Sequence, residues 1–183
     1  MERPEQKPGE KKGALLSFAR YDSPLGPVRI VADGGALVAV SFLQGFHALK
    51  DHLASRFGRQ VMLREDRAEL GAVLALFERY FRGADVDFSS IRVKTRGSAF
   101  ERRVWRALRA IPYGEVRSYA EVAAVIGSPR ACRAVAGACA RNKLPIIIPC
   151  HRVIRSDGGV GEWSGGGGVE IKKGLLAIEG KVI

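Results

Sequence analysis

The chain has 183 residues, 46% of them hydrophobic, which suffices for one large domain or two small ones with a real core. Thirty Lys and Arg against 19 Asp and Glu give a net charge of +11, a balance that suits a polyanionic partner. Only three cysteines occur, Cys132, Cys139 and Cys150, which excludes a disulfide scaffold or a cysteine-rich zinc site, and no apolar run approaches the roughly 20 residues that span a bilayer, so a cytosolic protein in a reducing compartment is expected, with no membrane partner.

Residues 1–12, with Pro4, Pro8, Gly9 and dense charge, read as a disordered tail, and Met1 to Gly13 is too charged for a signal-peptide core. Leu15 to Arg20, Val28 to Ala32 and Leu37 to Leu43 are short apolar runs. They are separated by Ser23-Pro24-Leu25-Gly26-Pro27 and by Asp33-Gly34-Gly35, so three antiparallel strands joined by tight turns are expected. Phe46 to Phe57 and Ala68 to Phe81 carry apolar residues at helical spacing, the second with Leu70, Val73, Leu74, Phe77 and Phe81 in one stripe. Both read as structural helices, and His47 and His52 as surface histidines. The chain divides near residue 90, into an N-terminal α/β unit at 13–90 and a C-terminal unit at 91–183.

Residues 83–98 form the connection, leading into a helix over Phe100 to Ala110 in which Phe100, Val104, Trp105 and Leu108 make the apolar stripe; Ile111-Pro112-Tyr113-Gly114 stops it. A second helix starts after Ser118, whose hydroxyl with Glu121 three residues on makes a capping box, and runs to Ile126. Gly127-Ser128-Pro129 is a short turn, and a third helix runs from about Arg130 to near Arg141, so the pair fits a helix-turn-helix. At 100° per residue, Cys132, Val135, Ala136 and Cys139 cluster on the third helix's core side. The other side carries Arg130, Ala134, Gly137, Ala138 and Arg141, with Arg133 at its edge, a surface smooth enough for close approach by a large anion such as DNA. Tight packing against another helix is the competing reading of Gly137.

Pro149-Cys150-His151-Arg152-Val153 follows the apolar run Ile146-Ile147-Ile148. A thiol reacts as thiolate, and a neighbouring imidazole with Arg152 beside it favours that form, so Cys150 is the candidate nucleophile; a cysteine behind three isoleucines also reads as a buried small hydrophobe. From Arg92 to Arg155 there are 14 basic and 3 acidic residues, so the whole net charge falls in the segment that ends on Cys-His. Trp163-Ser164 precedes four glycines, Gly165 to Gly168, which lack the Lys-Ser/Thr of a phosphate loop and read as a flexible pocket wall. Lys172 to Glu179 closes the chain as a helix with Leu175, Leu176 and Ile178 inward, stopped by Gly180.

The residues from Gly97 to Gly180 resemble the C-terminal domain of the O6-alkylguanine-DNA alkyltransferases, the methylated-DNA–protein-cysteine methyltransferases. The matching elements are Phe100 with Val104-Trp105, Ile111-Pro112, Ser118-Tyr119, Arg133-Ala134-Val135, Asn142, Pro149 to Val153, Ser164-Gly165-Gly166, Lys172, and Leu175-Leu176 to Glu179-Gly180. Ser23-Pro24-Leu25-Gly26 and Tyr80-Phe81-Arg82-Gly83 resemble the same family's N-terminal domain. The resemblance implies an α+β protein: a small antiparallel sheet with helices, ribonuclease H-like, followed by a mostly helical, winged-helix-like domain with a helix-turn-helix.

It also implies roles. Cys150 takes the alkyl group from guanine O6, and from O4-alkylthymine, in one displacement and keeps it. His151 acts through a water as base, Glu179 orients His151, and Asn142 braces the active-site loop. The target nucleotide of double-stranded DNA is flipped out. Arg133 fills its place in the stack, and Tyr119 rotates the flanking phosphate and donates a hydrogen bond to the base. The helix from Arg130 lies in the minor groove, with Ser118, Arg130, Ala134, Gly137, Ala138 and Arg141 beside it as further DNA contacts. Trp163, Ser164 and Lys172 line the base pocket, Ser164 offering its N–H to O6, while the carbonyls of Cys150 and Val153 accept from the exocyclic amine. No cofactor or metal is implied, and a monomer in a bacterial or archaeal cytoplasm is expected.

Three features depart from the family pattern: Glu101 where Gln is usual, Trp163 where Tyr is usual, and a stretch from Gly165 to Glu170 about two residues longer than the common spacing. Two rivals are an alkylated-DNA sensor without a nucleophile, against which Cys150 argues directly, and a thiol hydrolase, for which the helix-turn-helix and the confined charge would have no purpose.

Overall fold

The computed structural model describes residues 14–42, 49–51, 53–54, 61–164 and 166–181. The tail, His47, His52, Gly165 and most of the helix expected over 46–57 lie outside the described residues; those described within 49–54 are helical.

The first half is a four-stranded sheet. Strands β1 (Leu15–Ser23), β2 (Gly26–Asp33) and β3 (Ala36–Ser41) form the expected antiparallel meander, with Gly26 at φ 102° closing the first turn where a side chain would be strained. A fourth strand, β4 (Met62–Glu65), pairs parallel with β1 and makes the order β3-β2-β1-β4. Sequence gave no sign of it, because Met-Leu-Arg-Glu has little burial and is held by the ladder. Every residue of β3 is buried, since the sheet is covered on both faces. Leu16, Val31, Val38 and Ala39 pack with Leu49 and Leu53 on one side. Val28, Ile30, Leu37 and Val40 pack on the other with helix α1 (Gly71–Phe81), whose Val73, Phe77, Tyr80 and Phe81 are buried. Helix α1 starts three residues later than the periodicity suggests, because 67–70 form a turn.

The connection is bound to the sheet: Leu37 N donates to Arg92 O and Lys94 N to Leu37 O, each at 2.8 Å. Helix α2 (Ala99–Arg109) begins at a capping box, Ser98 with Glu101, and buries Val104, Trp105 and Leu108 as expected. Two-residue strand β5 (Arg117–Ser118) leads into α3 (Tyr119–Val125), which carries the expected Ser118–Glu121 box, and after Gly127 the chain enters α4 (Cys132–Ala140). A 3-10 turn (Cys150–Arg152), strand β6 (Val153–Ile154, parallel to β5) and α5 (Gly168–Ile178) complete the second half. Helix α5 begins four residues before the expected Lys172, on the last glycine of the run. No helix among the described residues is long and apolar enough to cross a membrane.

One core runs through both halves: Val40 and Phe77 from the first belong to the same apolar cluster as Val104, Val135, Ile148 and Leu175 from the second. The fold is therefore α+β, with the two halves joined by one apolar core and by the bond from Val40 N to Lys143 O at 2.8 Å. That packing brings α1 against the loop that carries Cys150.

Candidate active site and nucleic-acid surface

Cys150 sits where a tightly wound loop leaves α4. Ile146 holds φ 73° although β-branched, a left-handed conformation that costs about 1–3 kcal/mol and is kept by burial of Leu144, Ile146, Ile147 and Ile148. Asn142 ties the loop together: its Nδ2 donates to Ile148 O at 2.8 Å and to Cys150 Sγ at 3.0 Å, and its Oδ1 accepts from Leu144 N at 2.9 Å. The three isoleucines thus form the core under Cys150, which is itself 6% exposed.

Burial pushes the Cys150 thiol up to about 11, with the Asn142 hydrogen bond and the Lys172 ammonium pulling the other way. Burial thus works against the expected resting thiolate, and the side chains of His151 and Arg152 are turned toward Glu179. His151 Nε2 lies 2.7 Å from Glu179 Oε1, and Arg152 donates to both Glu179 oxygens (Nε to Oε2 at 2.9 Å, Nη2 to Oε1 at 3.0 Å) and to Ile111 O at 2.6 Å. Arg152 is buried in that ion pair.

Glu179 collects the network. Its Oε1 also accepts from the Tyr80 hydroxyl at 2.8 Å and its Oε2 from Gly114 N at 3.2 Å. Burial alone would raise its pKa, but the bonds and charges of His151 and Arg152 hold it down to about 2. Burial also lowers His151, against the pull of Glu179, so at neutral pH the pair is a carboxylate and a neutral imidazole. An ionised Glu179 assigns the proton to Nε2. His151 Nδ1, fully buried, then presents a bare lone pair and has no hydrogen-bond partner among the described residues. A thiol, a neutral imidazole and an oriented carboxylate on one loop and one helix end are the group types from which a proton relay to a sulfur nucleophile can be built.

A cavity of about 440 Å³ opens onto Cys150, lined by Tyr119, Gly137, Cys139, Asn142, Trp163, Ser164 and Lys172 among others. Lys172 is buried with its Nζ donating to Val153 O at 2.6 Å and to Val160 O, and it lies 5.8 Å from the Tyr119 ring centroid. Val153 is fully buried and outside the cavity wall, and its carbonyl accepts from Lys172, which occupies one of its two lone pairs. Ser164 Oγ donates to Ala140 O at 2.8 Å, which anchors the 161–164 segment to the end of α4.

The helix-turn-helix presents Arg130, Arg133, Ala134 and Arg141 to solvent. Arg130 precedes the helix, in the turn that ends with Ala131 N donating to Ser128 O. Two expected contacts are absent from that surface. Ala138 is fully buried, its carbonyl accepting from Trp105 Nε1 at 2.9 Å, because α4 rolls so that Val135 and Ala138 face α2 and α3. Ser118 is also buried, its hydroxyl committed to Glu121 N at 3.1 Å as the α3 cap. The two expected core cysteines are only partly buried, and Cys139 faces the cavity. Over Gly137 lies the guanidinium of Arg141, which would meet an added Cβ at 3.2 Å. Arg141 is itself ion-paired with Glu101, whose carboxyl that pairing and the Ser98 cap hold low. The sequence reading had no role for Glu101 beyond its departure from the family pattern, and it missed Tyr80, which an aromatic helix stripe hides.

Comparison with known proteins agrees over nearly the whole chain. The family model "6-O-methylguanine DNA methyltransferase, ribonuclease-like domain" matches residues 16–95, and "6-O-methylguanine DNA methyltransferase, DNA binding domain" matches 99–181. The methylated-DNA–protein-cysteine methyltransferase of Haemophilus influenzae is 37% identical over 164 residues, covering 90% of this chain and 86% of the relative. Among solved structures, Mycobacterium tuberculosis OGT in complex with DNA superposes with a TM-score of 0.73 at 35% identity, over 90% of this chain and 92% of that one. O6-methylguanine-DNA methyltransferase from Pyrococcus kodakaraensis superposes with a TM-score of 0.69 at 30% identity, over 91% and 99%.

Proposed function

This chain belongs to the 6-O-methylguanine DNA methyltransferase family, the methylated-DNA–protein-cysteine methyltransferases, and we propose that Cys150 is the residue that accepts the alkyl group, once and irreversibly. The observation that carries this reading is the Cys150 thiol, held by Asn142 in the wall of a cavity large enough for a base and backed by the His151–Glu179 pair.

A thiol raised to about 11 is protonated at neutral pH, so its proton leaves as part of the reaction. His151 Nδ1 receives it through a water, and Glu179 stabilises the imidazolium that forms. Sulfur then attacks the O6-bound carbon, the S–C bond forms as the C–O bond breaks, and the electron pair passes to the guanine ring. Tyr119, raised to about 12 by burial, stays a phenol and donates to the departing base, while Ser164 N–H steadies O6. The product is a thioether, which offers no carbonyl for water, so no group in the site reverses the step. Protein added to excess duplex with one O6-methylguanine will repair one guanine per chain and stop; continued repair would sink the single-turnover reading. O4-alkylthymine presents the same O–C bond and is a second substrate.

DNA lies along α4 in the minor groove, with Arg130, Arg133, Ala134 and Arg141 exposed toward it. Guanine O6 is inside the duplex, so the nucleotide flips into the cavity and Arg133 fills the gap. Arg133→Ala will slow repair of duplex by about tenfold or more while sparing transfer from free O6-benzylguanine, since only the duplex reaction meets the few kcal/mol of unstacking. Equal losses on both substrates would contradict this role.

The abutting family matches, 16–95 and 99–181, support a division near residue 90. Three free cysteines fit a reducing cytoplasm, and a relay drawn wholly from one chain fits a monomer.

A further inference from the structure

Tyr80 reaches this site from the other half of the protein. It is fully buried near the end of α1, and its ring is fixed edge-on against Phe81, Phe88 and Tyr113 with centroids 5.3, 5.9 and 6.2 Å away. Its hydroxyl donates to Glu179 Oε1 at 2.8 Å, the oxygen that also takes His151 Nε2 and Arg152 Nη2, and lies 3.4 Å from His151 Nε2. Glu179 stands where the chain leaves α5, so its carboxylate is held by its partners more than by the backbone.

We propose that Tyr80 is a positioning residue for alkyl transfer: its hydroxyl fixes the Glu179 carboxylate against His151 and sets the proton affinity of the imidazole that serves Cys150. This rests on the roles of His151 and Glu179 given above. A donor on Oε1 draws charge away from His151; without it the carboxylate pulls harder on the Nε2 proton and keeps only Arg152, Gly114 N and His151 to orient it. The other groups around the relay are Arg152 on the 3-10 turn, Lys172 on α5, Cys150 itself, and Tyr113 with Asp85 on the flanking loops, and all of them remain in a Tyr80→Phe protein. The N-terminal half is thereby a component of the site and more than a scaffold for it.

The test is single-turnover methyl transfer from a methylated duplex across about pH 5 to 9, with melting temperatures measured alongside. Tyr80→Phe keeps the ring and its packing. The rate plateau will fall about tenfold and the acid limb will move up by about one pH unit, the size expected for one hydrogen bond to a charged acceptor. Tyr113→Phe is the control: its hydroxyl donates to Ile178 O at 2.8 Å and Gly83 O at 3.0 Å in the same aromatic cluster and makes no hydrogen bond to Glu179, so it will lower the melting temperature and move the acid limb far less than Tyr80→Phe. A Tyr80→Phe profile that superimposes on the wild type would overturn the proposal. Should that variant fail to fold, fluorotyrosine at position 80, a stronger donor of nearly equal volume, will move the acid limb down, and an unmoved limb would overturn it equally. Wild-type protein that transfers no methyl at all would instead defeat the reading of the function on which this rests.

Discussion

Replacing Cys150 with serine will abolish alkyl transfer, by on the order of 10⁴-fold or more, while duplex binding and the fold survive. The thiol at about 11 is already hard to ionise in this site, and an alcohol is far harder, so the same His151 cannot raise a useful oxyanion. The serine hydroxyl is smaller but can still accept the Asn142 Nδ2 bond, which keeps the loop closed. Arg130, Arg133 and Ala134 are exposed, lie outside the cavity wall and are unchanged. Band-shift affinity for methylated duplex beside a methyl-transfer assay checks both halves. Inactivity of Cys139→Ser with an active Cys150→Ser would show that the nucleophile is misassigned, since Cys139 is the other thiol in the cavity wall.

Glu179→Ala will lose both activity and stability. It strips the acceptor from Tyr80, His151 and both edges of Arg152, all buried, and leaves the guanidinium unpaired in the interior. Breaking a buried pair in this way costs about 3–5 kcal/mol, which for a chain of this size lowers the melting temperature by roughly 6–20 °C. The acid stability profile carries a further signature. Glu179 is depressed from 4.5 to about 2, so its stabilisation is complete above 4.5 and is lost as pH falls toward 2, where the folded carboxylate takes up its proton. His151, buried and depressed, adds a loss that begins below 6.5, because the unfolded chain binds a proton that the folded site refuses. Unfolding curves across that range will show the Glu179 component in the wild type and not in Glu179→Ala. A variant that melts with the wild type would mean that the network contributes nothing.

Much of this was legible in the sequence where local chemistry decides structure. Ser118 with Glu121 names its own cap, Gly26 and Gly34-Gly35 name their turns, and Cys150-His151 sets a thiol beside an imidazole. Three kinds of signal were out of reach. Strand β4 is four mostly exposed residues whose existence depends on the neighbouring edge of β1. The same Ser-x-x-Glu pattern that marked α3 also stands at Ser98 to Glu101, yet the apolar stripe beginning at Phe100 drew the boundary past it. In a helix of nine residues a small rotation moves a small residue from surface to core, and Ala138 fell on the wrong side because α2 and α3, not α4's own periodicity, set the buried line. Within the site, Cys150, His151 and Asn142 lie close in sequence, whereas Glu179 was reached through family resemblance. Tyr80 is 71 residues from His151 and only the fold puts them together. Even the nucleophile's neighbours misled in one respect, for adjacency in sequence aimed His151 and Arg152 at Cys150 when the structure aims both at Glu179.

Where the methyl group ends tests the central claim most directly. Protein incubated with excess duplex carrying an isotopically labelled O6-methyl group, then digested and mapped by mass spectrometry, will hold one labelled methyl per chain as a thioether in the peptide containing Cys150. Label found on Cys132 or Cys139, or released to solvent while repair continues, would contradict it.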